Sequence, residues 1–172
     1  MILGLDVGTS LGWALTRLDD DHHHTVLHGY GVLDLPTKDG PLTNLDRVRG
    51  LFRAFEPSSA AAMLTADEVT GIYVEDVPFT KYAKASASYW RVRTLAEIAA
   101  AEFGLYPFTI VNVSTLKQWA TGKGNADKAA MCRAARERFD VPLYARKGDV
   151  EKGSKAHEDQ ADAILVAAWA HS

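Results

Sequence analysis

Short apolar segments separated by polar turns open the chain, and their residues are typical of β-strands. They cover residues 2–7, 13–18 and 25–35, and the polar run DDDHHH at 19–24 separates the second from the third. Consecutive strands joined by a short polar turn favour antiparallel pairing. We therefore predict a three-stranded antiparallel meander, with the histidines of the turn exposed to solvent rather than forming a metal-binding tract.

Helical and strand-like patterns alternate through the rest of the chain. Apolar residues recur at helical spacing from Leu42 to Phe55, before Pro57 ends the pattern. Further strands are predicted at 69–77 and 108–113, and further helices at 85–104 (closed by Gly104), 114–121 (with Ser114 as a cap), 126–139 (with Asn125 as a cap) and 157–171. The order predicts one α/β domain over 1–172, in which a mixed five-stranded sheet, an antiparallel meander followed by parallel strands, is flanked by helices.

The composition is that of an ordinary globular protein. Hydrophobic residues make up 47% and charged residues 24% of 172 residues. We find no signal-peptide pattern and no apolar run of the ~18–20 residues that a membrane helix needs, so we expect no membrane association. The single cysteine, Cys132, lies in a helical pattern and is expected to be a buried thiol in a reducing compartment. These features predict a cytoplasmic protein.

Charge is segregated along the chain. Residues 1–76 carry a net charge of −7 and residues 77–155 a net charge of +7, while the last 17 residues return to −3. A mixed surface is the ordinary interpretation of such a pattern. It is also what a protein needs if it holds divalent cations in one place and phosphates in another.

Four acids lie at positions where they could converge. Asp6 ends the first predicted strand and Glu75 the fourth, while Asp159 and Asp162 lie three residues apart at the start of the last helix. If the two strands are neighbours, a helix packed across them would complete a cluster of carboxylates. Hard oxygen ligands in that number suit Mg²⁺ or Mn²⁺ better than zinc. Taken singly, each acid also fits a turn or a helix N-terminus without function. Their neighbours Asp76 and Glu158 should point elsewhere, and we leave both out of the ligand set.

Basic and aromatic residues alternate after the fourth strand, which suits contacts to phosphates and bases. Tyr89 and Trp90 fit either this role or a place in the core. The loop GKGNADK lacks the spacing of a nucleotide-binding P-loop, so no nucleotide cofactor is expected. The candidate DNA contacts along the chain are Phe79, Lys81, Tyr82, Lys84, Arg91, Lys123, Arg146 and Lys147.

Four segments together resemble the RuvC-type Holliday junction resolvases of the RNase H-like fold. In order along the chain, they are LGLDVGTSLGWAL, IYVEDV, KQWATGKGNADK and EDQADAILVAAWA. The resemblance implies an RNase H-like fold and a Mg²⁺-dependent endonuclease that resolves four-way DNA junctions by paired symmetric nicks. It also implies a homodimer, with the helix 85–104 as the dimer surface.

The same resemblance implies a catalytic role for six residues. Two Mg²⁺ ions, replaceable by Mn²⁺, would be held by four carboxylates, with Asp6 bridging them, and one or other of two lysines would stabilise the charge of the scissile phosphate. These residues are Asp6, Glu75, Asp159, Asp162, Lys117 and Lys128.

The chain also departs from the family pattern. Pro78 shifts Phe79, the residue expected to stack at the junction, and Tyr82 is a substitute for it. The loop 145–155 is longer and more basic than expected, and we predict that it is mobile and orders on DNA. His157 precedes the acid pair and could assist a metal-bound water or be a plain exposed histidine.

Other functions stay open at this point. The segment LGLDVGTS also resembles the first phosphate loop of sugar kinases and actin-like ATPases, but those proteins need two such lobes and no second phosphate motif is present. A related nuclease could cut flaps, forks or RNA–DNA hybrids with the same acids. A junction-binding protein without cleavage is a third, non-enzymatic alternative.

Overall fold

The structure is a computed structural model that describes residues 1–21, 23–55, 69–76, 83–105 and 107–172, apart from the side chains of 37 and 83–85. The elements run in the predicted order of three strands, a helix, a strand, a helix, a strand and three helices. Their bounds are β1 Ile2–Val7, β2 Ser10–Leu18, β3 Thr25–Asp34, α1 Gly40–Arg53, β4 Gly71–Glu75, α2 Ala83–Glu102, β5 Phe108–Val111, α3 Val113–Thr121, α4 Lys128–Phe139 and α5 Lys155–Trp169.

Strand β1 lies at the centre of a five-stranded sheet in the order β3-β2-β1-β4-β5. It pairs antiparallel with β2 and parallel with β4, while β2–β3 is antiparallel and β4–β5 is parallel. The predicted mixed sheet, a meander followed by parallel strands, is therefore confirmed. In the β1–β4 register Leu5 lies opposite Val74, so Asp6 and Glu75 each follow that pair at one edge of the sheet.

Alternation along the strands divides the side chains between two cores. Leu3, Leu5 and Val7 of β1 point into the core that α1 and α2 cover. Successive side chains of a strand point to opposite faces, so Asp6 points to the face on which α5 packs. On β4 the same alternation sends Val74 to the first core and Glu75 to the side of Asp6.

Helix caps differ from the predictions at two places. Asn112, not Ser114, caps α3, since its side chain accepts from the backbone N–H groups of Ser114 and Thr115. Asp127, not Asn125, caps α4 and accepts from the Ala130 N–H. Each true cap is the residue in extended conformation directly before its helix, which is where a side-chain oxygen can reach the first free N–H groups.

Three smaller predictions are confirmed. Gly104 follows α2 in the left-handed region, with φ of +66°. His23 and His24 are exposed in the turn after β2, while His22 lies outside the described residues. Cys132 is fully buried, and burial raises the pKa of its thiol to about 12, which disfavours the reactive thiolate.

Among the described helices, none is long and apolar enough to cross a membrane.

Candidate metal centre

Three carboxylates meet where β1 and β4 end beneath α5. Asp6, Glu75 and Asp162 each offer an oxygen, and these oxygens all lie within 4.8 Å of one another. The strand order makes the first two neighbours, and the packing of α5 across β1 and β2 adds the third. Asp6 and Asp162 are buried, and Glu75 is partly buried. The convergence that the sequence predicted is thus observed for three of its four acids.

Two glycines let α5 lie close enough to the sheet to bring Asp162 into place. A Cβ at Gly4 would lie 2.4 Å from the backbone oxygen of Ala163, and a Cβ at Gly12 would lie 2.4 Å from that of Asp159. Real Cβ contacts are never so short, so any side chain at either position would push the helix away. These close contacts set the height of α5 above the sheet at the site.

The fourth acid, Asp159, lies one helical turn before Asp162 and is held differently. Its Oδ2 accepts a hydrogen bond from Ser10 Oγ at 2.7 Å and one from Lys155 Nζ at 2.5 Å. Lys155 Nζ also lies 3.0 Å from Ser10 Oγ, so the three groups form a closed triangle. Asp159 therefore lines the same cavity but stands outside the group of three.

The three clustered acids destabilise one another's negative charge. Burial raises the pKa of Asp6 well above its usual range, and the charges of Glu75 and Asp162 raise it further. Burial, followed by the charge of Asp162, raises the pKa of Glu75 to about 7. Burial also raises the pKa of Asp162, although Lys128 opposes the shift. The cluster therefore favours the uptake of a proton or a cation.

The two lysines predicted to be catalytic both line the cavity above this cluster, which has a volume of about 420 Å³. Lys128, at the start of α4, forms an ion pair with Asp162. Burial disfavours its charge, but Asp162, Asp6 and Glu75 outweigh that effect and raise the pKa of Lys128 above its usual value. The charge of Lys117 on α3 stabilises ionised Glu75 and Asp162. Both ammonium groups thus act on the carboxylate cluster.

The sequence does not predict a role for two residues that contact Asp159. Lys155 was assigned to the basic loop, although its place four residues before Asp159 put it on the same helix face. Ser10 lies in the segment DVGTS directly after Asp6, but no local pattern connects it to a residue 149 positions away. Both contact Asp159, but only the contact of Ser10 requires α5 to pack on β2, since Lys155 and Asp159 are one turn apart in the same helix.

The acids excluded from the ligand set do contact other groups. Asp76 lies 4.0 Å from Arg93, although it borders the cavity. Glu158 is buried and accepts from the Arg146 backbone N–H at 2.9 Å and from its guanidinium. His157 accepts a hydrogen bond from the Tyr144 N–H through Nδ1, so that ring nitrogen is engaged away from the carboxylates.

Buried contacts anchor the loop after α4, which the sequence predicts to be mobile. The side chain of Asp149 is fully buried and accepts from the Arg136 guanidinium and from the N–H groups of Ala145 and Val150. Gly153 packs against the Tyr144 carbonyl, where a Cβ would have no room. These contacts give the loop a defined place in the structure, and its ordering on DNA stays a prediction.

The predicted DNA contacts lie in several places. Arg146 borders the cavity of the acid cluster, and Lys147 is exposed beside a neighbouring cavity that Lys128 also lines. Lys123 is exposed in the turn after α3, whereas Arg91 is partly buried and donates to the Leu35 carbonyl at 3.5 Å. Phe79, Lys81, Tyr82 and the side chain of Lys84 lie outside the described residues.

The two aromatic residues at the start of α2 differ in environment. Tyr89 is partly buried and borders the cavity of the acid cluster. Trp90 is 52% exposed, and the Arg93 guanidinium lies 4.9 Å from its ring centre. A core position is therefore excluded for Trp90.

The strand order, the helices on both faces and the acids at the edge of the central strands define an RNase H-like fold. RuvC from Thermus thermophilus in complex with a Holliday junction substrate shares this fold with a TM-score of 0.70 and 17% identity, over 99% of this chain and 94% of that chain. The structure of Thermus thermophilus RuvC alone is similar with a TM-score of 0.68 and 17% identity, over 96% of this chain and 90% of that chain.

The yeast mitochondrial Holliday junction resolvase is similar with a TM-score of 0.62 and 16% identity, over 99% of this chain and 77% of that chain. No family model matches the sequence, and no curated protein sequence matches it significantly. At these identities the similarity establishes the fold. The RNase H-like fold expected from the sequence is therefore confirmed.

Proposed function

We propose that this protein is a divalent-metal-dependent endodeoxyribonuclease that resolves four-way DNA junctions. The observation that carries the proposal is the meeting of Asp6, Glu75 and Asp162 within 4.8 Å at the edge of an RNase H-like sheet. Buried acids are costly unless a cation or a proton offsets their charge. A function explains why this chain keeps three of them together.

The donor set fits Mg²⁺ or Mn²⁺. Asp6, Glu75 and Asp162 supply hard carboxylate oxygens, and Asp159 is the fourth candidate ligand in the same cavity. Burial, followed by repulsion between the carboxylates, raises their pKa values, and a bound divalent ion would offset this cost. When bound, two such ions activate a water and stabilise the leaving oxygen in phosphodiester hydrolysis.

The chain's own cations have separate roles around the scissile phosphate. Lys128 reaches Asp162 from the start of α4, and Lys117 lines the cavity from α3. An ammonium on this border can bind a phosphate oxygen and stabilise the negative charge that grows as the P–O bond breaks. Arg146, tied to Glu158, presents a further cation at the same border.

A four-way junction is the proposed substrate. Support comes from the similarity over nearly the whole chain to RuvC, one of whose structures is a complex with a Holliday junction substrate. Paired symmetric nicks need two active sites, so we include a homodimer in the proposal. The exposed apolar residues Trp90 and Ile98 of α2, 52% and 41% exposed, support α2 as its surface.

The test is cleavage of a synthetic four-way junction in Mg²⁺, beside linear duplex, flap, fork and RNA–DNA hybrid. The wild type is compared with Asp6→Asn, which removes a buried carboxylate charge, and with the matched control Asp21→Asn in the exposed turn after β2. We expect paired nicks on the junction alone, lost in Asp6→Asn with junction binding retained and unchanged in Asp21→Asn. Light scattering of the free protein measures the dimer.

Other outcomes would redirect the proposal. Equal or better cutting of flaps, forks or hybrids would keep the metal centre and change the substrate. Junction binding without cleavage in Mg²⁺ or Mn²⁺ would favour a binding protein. Cleavage that persists in chelator would refute the metal-dependent mechanism.

A further inference from the structure

Lys155 is the first residue of α5 and contacts the acid that stands outside the cluster of three. Its Nζ donates to Asp159 Oδ2 at 2.5 Å and lies 3.0 Å from Ser10 Oγ. The side chain of Asp159 is only 9% exposed, whereas that of Lys155 is 44% exposed and borders the cavity. The ammonium can therefore leave Asp159 for solvent or for another anion in the cavity without disturbing the core.

Local electrostatics disfavours a lysine at this position. The N-terminus of a helix carries partial positive charge, so acids are stabilising there and cations are not. A lysine placed four residues before an acid is also the weaker of the two orientations for a helical ion pair. Positions at which a sequence breaks local rules are often functional, and here the contact with Asp159 is the compensating gain.

The contact has a direct consequence for metal binding. Asp159 Oδ2 accepts hydrogen bonds from both Ser10 and Lys155. A divalent ion that used the same oxygen would have to displace the ammonium, since two cations cannot share it without strong repulsion. The charge of Asp159 is thus already neutralised by Lys155, as that of Asp162 is by Lys128.

We propose that Lys155 is a positioning residue that competes with a divalent cation for Asp159. Without DNA, the group of Asp6, Glu75 and Asp162 binds one ion, and the second ion binds weakly because Lys155 occupies Asp159. A phosphate entering the cavity attracts the ammonium and frees Asp159, so full metal loading follows substrate binding. This inference rests on the proposed function in that these carboxylates bind divalent ions.

The test is calorimetric titration of the DNA-free protein with Mn²⁺ at pH 8. Lys155→Met removes the charge and keeps the aliphatic stem, Lys155→Arg keeps the charge, and Lys152→Met is a control at an exposed loop lysine. We expect Lys155→Met to bind the second Mn²⁺ about tenfold more tightly than the wild type, the ratio that corresponds to one charge-assisted hydrogen bond. Lys155→Arg and Lys152→Met should bind it as the wild type does.

Thermal unfolding at fixed Mn²⁺ gives a second measurement, in which Lys155→Met should show the larger stabilisation by the metal. Equal second-site affinities in the wild type and Lys155→Met would overturn this inference and leave the proposed function intact. So would a Lys155→Arg protein that behaves like Lys155→Met. Failure of all four proteins to bind Mn²⁺ would overturn both the metal-dependent function and this inference.

Discussion

Replacing Glu75 by glutamine should stabilise the metal-free protein at alkaline pH while weakening its response to metal. Glutamine has nearly the shape of glutamate but cannot ionise. In the wild type, burial and the charge of Asp162 raise the pKa of Glu75 to about 7. The ionised side chain is therefore a net cost to the fold whenever no cation is bound.

The size of this stabilisation follows from the pKa shift of Glu75. The usual pKa is 4.5, and each unit of difference between the folded and unfolded states is worth about 1.4 kcal/mol. A group whose pKa is raised on folding contributes stability below its unfolded pKa and loses it as pH rises through the folded value. As the pH rises from 4.5 to 8, ionisation of Glu75 should thus lower the free energy of unfolding of the metal-free wild type by about 3 kcal/mol. Glu75→Gln should avoid that cost.

The assay is urea unfolding in chelator between pH 5 and pH 8, repeated in Mn²⁺. Near pH 5 the two proteins should have similar free energies of unfolding, and at pH 8 the variant should be more stable by up to about 3 kcal/mol. Mn²⁺ should then stabilise the wild type more than the variant. Glu151→Gln, at an exposed position of the loop after α4, is the control and should follow the wild type. A Glu75→Gln protein that parallels the wild type across this pH range would refute the reasoning.

Two further predictions concern how the site is supported. Gly12→Ala should lower the free energy of unfolding by about 1–3 kcal/mol and reduce junction cleavage, because its Cβ would displace Asp159 on α5. Gly50→Ala is the control, since a Cβ there meets nothing within 4 Å, and it should reduce neither stability nor cleavage. Thermal melts and cleavage rates of the pair test this, and equal behaviour would contradict it. Asp149→Ala should cost about 3 kcal/mol in urea unfolding, since it leaves the Arg136 guanidinium without its buried partner. It should also increase hydrogen exchange in 145–153, and unchanged exchange there would show that Asp149 does not hold the loop.

The element order and most of the acid cluster could be predicted from the sequence, because the patterns that specify them are local. Period-two alternation and β-branched runs indicate strands, and helical spacing indicates the layers that cover them. A charged residue at the end of a buried strand is visible without a structure. This is why Asp6 and Glu75 could be assigned to one edge of the sheet once β1 and β4 were taken as neighbours.

The tertiary structure alone decided which partners each site residue has. The sequence grouped Asp159 with Asp162 by their spacing, but the packing of α5 on β2 places Asp159 against Ser10, 149 positions away. In the same way, a loop that looked mobile from its glycines and lysines is held by the buried carboxylate of Asp149. Such contacts join residues far apart in the chain or depend on burial, and burial is set by how whole elements pack. Local sequence patterns do not specify how whole elements pack or which side chains become buried.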